Sequence, residues 1–153
     1  MPELKATSFS SLATNLVNRP VTFAPGKPVN VATPQIYAIY DVLPHDGLVV
    51  VKADVRLLAS LGGALMGLPN DGLAEHIKGS SLLEPLSDAA YEILNIASKV
   101  VTATGRAVLK AVVNNPESLD QASALTIKNG QQRSYFNVTV QDYSGGMFCV
   151  FGG

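Results

Sequence analysis

Charge is scarce in this chain. Of its 153 residues only 15% are Asp, Glu, Lys or Arg, and the formal net charge is −1. The basic residues are scattered, so the electrostatic footprint that nucleic acid demands is missing. Cys149 is the only cysteine, which excludes an intramolecular disulfide and a cysteine-rich metal centre. Within "GGMFCVFGG" it reads as a small buried hydrophobe on a strand. The two histidines, His45 and His76, share no metal-ligand spacing. No apolar run approaches the ~18 residues of a membrane-crossing helix. The segment "MPELKATSFSSLATNL" is too polar for a signal peptide, so a reduced cytoplasmic setting is expected. No GxxxxGK[ST] phosphate cradle, GxSxG elbow or HExxH pair appears. Ser10, Ser11, Ser80 and Ser81 have no convincing base, while Asp120 and Asp142 read as turn formers. A self-sufficient active site is hard to assemble from this inventory. If the protein is catalytic, a partner must bring much of the machinery.

What the chain does have is apolar sequence, at 47% of its residues. A chain of this length buries about 70% of its unfolded surface, so one domain over residues 1–153 is expected. Residues 4–17 carry apolar positions at 9, 12, 13, 16 and 17, a helical rhythm stopped before Pro20. "PVTFAP" reads as a short strand. "QIYAIYDV" and "GLVVVKAD" read as a hairpin, being rich in β-branched and aromatic residues around a "LPHD" turn. A helix follows from Asp54 as cap to Gly67, then a short helix around residues 72–78. A long helix is predicted from Leu82 or Pro85 to Ala103, with "AVLKAVV" as the strand after it. "NNPESLDQAS" reads as a loop. "ALTIKNG" reads as a strand turning at Asn129-Gly130 into "SYFNVTVQD", and "GMFCVFG" is the last strand. Helix, strand, strand, hairpin thus describes residues 4–53 and again, faintly, residues 85–151. Strands grouped between helices favour an α/β chain of the α+β type: an extended, mainly antiparallel sheet with long helices on one face and two pseudo-repeated halves.

One stretch, "SDAAYEILNIASKV", carries a second pattern. Asp88, Glu92, Asn95 and Lys99 stand at spacings of four, three and four. At about 100° per residue all four fall within about 60° of one another. Leu86, Ala90, Ile93, Ala97 and Val101 gather on the opposite side as the core face. Periodicity alone accounts for such a stripe as a solvated surface, with pairs worth a few tenths of a kcal/mol. Asn95 argues otherwise, since Asn costs about 0.5 kcal/mol against Ala inside a helix. The alanines at 89, 90 and 97 would also leave a partner room to approach.

The pattern acid, three residues, Glu, two residues, Asn in "DAAYEILN", with Pro116 further on, resembles the signature of the CheC/CheX/FliY family of chemotaxis response-regulator phosphatases. "LMGLPNDGLAEHIKGSSLLEP" is similar to that family's link into its functional helix. The resemblance implies a CheC-like fold and a hydrolase of two-component signalling, acting on the aspartyl phosphate of a CheY-like receiver domain. It implies that Asn95 orients the attacking water and that Glu92 engages a lysine of the receiver. Asp88 and Lys99 would contact the partner. The chain would need no cofactor of its own, since Mg²⁺ and the phosphorylated aspartate belong to the receiver. The alternative is a non-catalytic receiver-binding or flagellar-switch-like module on the same fold.

Two features depart from the family pattern. The interval from Asn95 to Pro116 is slightly short. In the first helix Ser8 and Asn15 repeat the spacing, but Leu12 holds the Glu position. One site per chain is therefore expected, as in CheX-like members. A homodimer is also expected, because a sheet edge ending in "MFCVFGG" would need protection.

Overall fold

The hairpin expected near the middle of the chain organises the computed structural model, which describes residues 4–27, 34–44, 47–103 and 105–152. β2 (Gln35–Leu43) and β3 (Gly47–Asp54) pair antiparallel from Gln35↔Asp54 to Val42↔Gly47. His45 and Asp46 of the predicted "LPHD" turn lie outside the described residues. Alternation along these strands divides their side chains between two faces. Ile36, Ala38, Tyr40, Val49, Val51 and Ala53 enter the main core.

Around this hairpin lie β1 (Val21–Pro25), β6 (Arg106–Val113), β7 (Gln132–Val140) and β8 (Gly146–Gly152). They form one six-stranded sheet in the order β1-β7-β8-β3-β2-β6, with every pairing antiparallel. A two-stranded ribbon, β4 (Ile77–Lys78) with β5 (Ser81–Leu82), stands apart. Exchanging β1 for β6, β2 for β7 and β3 for β8 returns the six-strand order reversed, which is the signature of a pseudo-two-fold. The central pairing shows where its axis passes. Val51 pairs with Val150, and the flanking pairs Val49↔Gly152 and Val50↔Phe151 mirror Ala53↔Phe148 and Lys52↔Cys149. The weak repeat in the sequence is therefore a real architectural duplication. "MFCVFGG" is not an edge: β8 lies between β3 and β7, and the free edges are β1 and β6. Cys149, on this interior strand, is buried, and burial pushes its thiol up to about 11.

Three helices cover one face: α1 (Ala6–Val17), α2 (Val55–Met66) and α3 (Leu86–Ile96). Phe9, Ala13 and Val17 are the buried positions of α1, and Ala89, Ile93 and Ala97 repeat that spacing along α3 and its last turn. α2 lies against both, with nine of its twelve residues buried. Gly62 lets α3 come close, since a Cβ there would sit 3.3 Å from that of Ala89. Asp54 begins α2 but does not cap it through its side chain. Its carboxylate instead accepts from the Met147 amide at 2.8 Å and from Gln35, tying β3 to β8 and β2. The predicted short helix at 72–78 is a 3₁₀ segment, Asn70–His76.

Two further expectations fail. "ALTIKNG" is not a strand: it belongs to α4 (Gln121–Asn129), and Asn129-Gly130 ends that helix rather than turning a hairpin. The Asp120 carboxylate accepts from the Ser123 amide at 2.7 Å, an N-cap that nucleates the helix despite β-branched Thr126 and Ile127. The same bond holds the Asp120 carboxyl below its usual range. Gly130 is required for space, because a Cβ would meet the Thr126 carbonyl and lie 2.7 Å from that of Gly152. α4 packs against β3 and β8, where Val50, Cys149 and Phe151 are buried outside the main core. The long helices thus occupy one face, as expected, and this short one the other. Among the described residues no helix is long and apolar enough to cross a membrane.

Candidate functional site

α3 is held from beneath and left bare above. Leu86, Ala89, Ala90, Ile93 and Leu94 are buried, and Val101 continues the buried face beyond the helix. The buried Tyr40 hydroxyl donates to the Leu94 carbonyl at 2.6 Å, pinning the last full turn to β2. Burial raises the Tyr40 phenol far above its ordinary range, so this donor keeps its proton throughout the physiological span. The helix is shorter than its periodicity predicts. It tightens into a 3₁₀ turn at Ala97–Lys99, where the Val100 amide donates to the Ala97 carbonyl at 2.9 Å. β-branched Val100, Val101 and Thr102 resist a further α turn.

Asp88, Glu92 and Asn95 are exposed on α3, opposite its buried face, as the spacing predicts. Lys99 is exposed too but sits on the 3₁₀ turn, past the end of α3. Glu92 and Asn95 are one turn apart, which places their Cβ atoms about 5–6 Å from each other. Neither side chain makes a hydrogen bond or ion pair with another described residue. Tyr91 stands beside them, 53% exposed. The acids lie toward the helix start and Lys99 beyond its end, an order the helix dipole favours.

On one flank of this ridge runs the edge strand β6. The valley between them holds two hollows. One, of about 410 Å³, is lined by Ser87, Tyr91 and Leu94 of α3, Ser81 and Leu82 of β5, and Val112 and Asn114 across from them. The other, of about 360 Å³, is lined by Asn95, Ser98, Lys99 and Thr102, facing Arg106 to Leu109 of β6. Arg106, Ser98 and Thr102 were not singled out from sequence. The turn at Gly105, which leads from the end of the helix into β6 at the sheet edge, brings Arg106 to the Asn95 end of the helix.

The other candidates are structural. Ser10 accepts from the Phe23 amide at 2.8 Å, and Ser81 accepts from the Asn114 amide group at 2.7 Å. Asp142 sits in the β7–β8 turn with φ 69° and pairs with Arg19 at 3.3 Å. His76 is half-buried in the 3₁₀ segment. Among the described residues no group of three or more His, Cys, Asp or Glu is placed to hold a metal ion. On α1, Ser8 and Asn15 are exposed like their counterparts. Leu12, however, is half-buried and lines an apolar crevice with Leu16, Ile96 and Val100.

No protein-family model matches the sequence, and no curated protein matches it. Solved structures do match the fold. A chain of the FliG-FliM complex from H. pylori superposes with a TM-score of 0.66 at 11% identity, over 95% of this chain and 85% of that one, and the FliM middle domain from H. pylori gives 0.59 at 11%, over 95% and 84%. FliY from Thermotoga maritima gives 0.56 at 12%, over 99% and 85%. The chemotaxis protein CheX from Vibrio vulnificus gives 0.56 at 13%, over 96% and 95%. This chain has the CheC/CheX/FliY fold. Within that CheX-like frame the exposed stripe lies on the second of two equivalent helices. At such identities the likeness speaks for the fold alone.

Proposed function

We propose that this chain is a phosphatase for the aspartyl phosphate of a CheY-like receiver domain, with α3 inserted into the receiver's active-site cleft. The observation that carries the reading is the ridge itself. A carboxylate and a carboxamide project one turn apart into solvent, on a helix whose other side is anchored, and neither has a partner within the described chain. The Asn95 amide both donates to and accepts from water and does not titrate near neutral pH, so it orients a nucleophile without deprotonating it. The oriented water oxygen attacks phosphorus, and the bond to the aspartate oxygen breaks. The receiver's carboxylate leaves, and the water's proton departs with inorganic phosphate. Glu92 accepts from the receiver's lysine and sets the register of the docked helix. Mg²⁺ on the receiver neutralises phosphoryl charge. Positioning and charge stabilisation dominate phosphoryl transfer, so a helix that only positions is sufficient machinery.

The test is phosphate release from a phosphorylated CheY-like receiver. Asn95→Ala and Glu92→Ala should each remove most of the turnover without loss of folding, because both side chains are exposed. Unchanged rates in both variants refute the assignment. A second reading, a non-catalytic switch or adaptor module, fits the same fold, since FliM middle domains superpose at 0.59 and 0.54, on either side of CheX at 0.56. Binding of the receiver, or of a FliG-like partner, without phosphate release would select it. A homodimer belongs to the same proposal, paired through β6, the longer of the free edges at eight residues against five.

A further inference from the structure

The surface around Asn95 changes sign along its length. Glu84, Asp88 and Glu92 are exposed on the side of the helix start, and Lys99 and Arg106 are exposed beyond Asn95. Both cations line the hollow that Asn95 borders, and no acidic side chain lines it. Neither cation is in an ion pair with a described residue. They are brought together by the turn at Gly105, whose φ of +75° and whose contact with the Leu43 carbonyl leave no room for a side chain. Two like charges line one groove, and Asp41 of β2, in register two residues along from Arg106, neither pairs with Arg106 nor lines the hollow to neutralise them. A partner carrying negative charge would neutralise them.

We propose that Lys99 and Arg106 recognise the carboxylate-rich rim of a divalent-cation site on the partner, and so fix the direction in which α3 docks. This rests on the phosphatase reading above. A protein site that holds Mg²⁺ beside a phosphoryl group is itself built from carboxylates and phosphate oxygens. Negative charge is therefore concentrated where Asn95 must arrive, and the basic hollow lies alongside Asn95. One turn away in the other direction, Glu92 needs a cation. Asp88 and Lys99 are about 16 Å apart at helical rise, beyond the screening length of about 8–10 Å in physiological salt. The two ends therefore act as separate contacts. Docking in the reversed direction would set Asp88 and Glu92 against the partner's carboxylates, so one orientation is selected.

The test uses the full chain and the double variant Lys99→Glu/Arg106→Glu. The binding probe is a CheY-like receiver loaded with Mg²⁺ and beryllofluoride, titrated calorimetrically at low and at physiological salt. Turnover is measured on the phosphorylated receiver. The double variant should bind about tenfold more weakly or worse, with a flattened salt dependence, and KM should rise in proportion while kcat stays within about threefold. Lys99→Gln/Arg106→Gln should fall between the two, and circular dichroism should show all three chains equally folded. Equal binding by the double variant, or a fall in kcat with binding intact, overturns the proposal. A wild-type chain that binds with steep salt dependence, lost in the double variant, but releases no phosphate keeps this inference and removes the phosphatase reading. One that releases phosphate at the same KM as the double variant does the reverse. Absence of binding by the wild type removes both.

Discussion

α1 and α3 are equivalent under the pseudo-two-fold, yet the molecule uses them differently. α1 is locked by rings: Phe9 stacks on Phe23 at 5.2 Å and meets Phe136 and Phe148 at 5.0 and 5.6 Å. α3 has Ala89 where α1 has Phe9, and it is held by backbone proximity to Gly62 and by one buried phenol on Leu94. α1 turns Leu12 into an apolar crevice at the position where α3 exposes Glu92. Duplication thus supplied two similar scaffolds. One carries a ring on its buried side and packs Leu12 away, and the other is slim on its buried side and exposes Asp88, Glu92 and Asn95. Fold and site are separable here, because the residues that hold α3 are not those that project from it.

Phe9→Ala tests the ring side of this contrast hardest. Removing a side chain packed against three rings should lower the unfolding free energy by about 3–5 kcal/mol, read by denaturant titration. Leu12→Glu, made as though to restore the missing acid, should cost about 1–2 kcal/mol, since a carboxylate would enter an apolar crevice. In an Asn95→Ala background it should restore no turnover. Tyr40→Phe should cost about 1 kcal/mol by removing the buried donor to Leu94. It should lower turnover as well, which a mutation anchoring only the sheet would not. Asn95→Ala should do the smallest thing to stability, leaving it within about 0.5 kcal/mol of wild type, because Asn95 is exposed in the last turn of α3.

Much of this division was legible in the chain before folding. Local periodicity separates Leu86, Ala90 and Ile93 from Asp88, Glu92 and Asn95, and the structure buries the first set and exposes the second. The hairpin at residues 35–54 was equally plain, while the repeat was only faint in the sequence and is clear in the strand order. What local pattern does not encode is which strands become neighbours. β8 looked like an edge and lies inside the sheet, while Arg106 gave no sign that it would reach Asn95. α4 was missed for the opposite reason. Its β-branched Thr126 and Ile127 and its Asn-Gly ending mimic a strand and turn, and the Asp120 cap prevails over both.

The most direct measurement is phosphate release from a phosphorylated CheY-like receiver, catalysed in parallel by the wild-type chain, Asn95→Ala and Asn15→Ala. If α3 alone carries the site, Asn95→Ala should lose about 100-fold or more, and Asn15→Ala should stay within about twofold of wild type. Equal losses in the two variants, or a larger loss in Asn15→Ala, would contradict the claim that only one of the two helices was equipped.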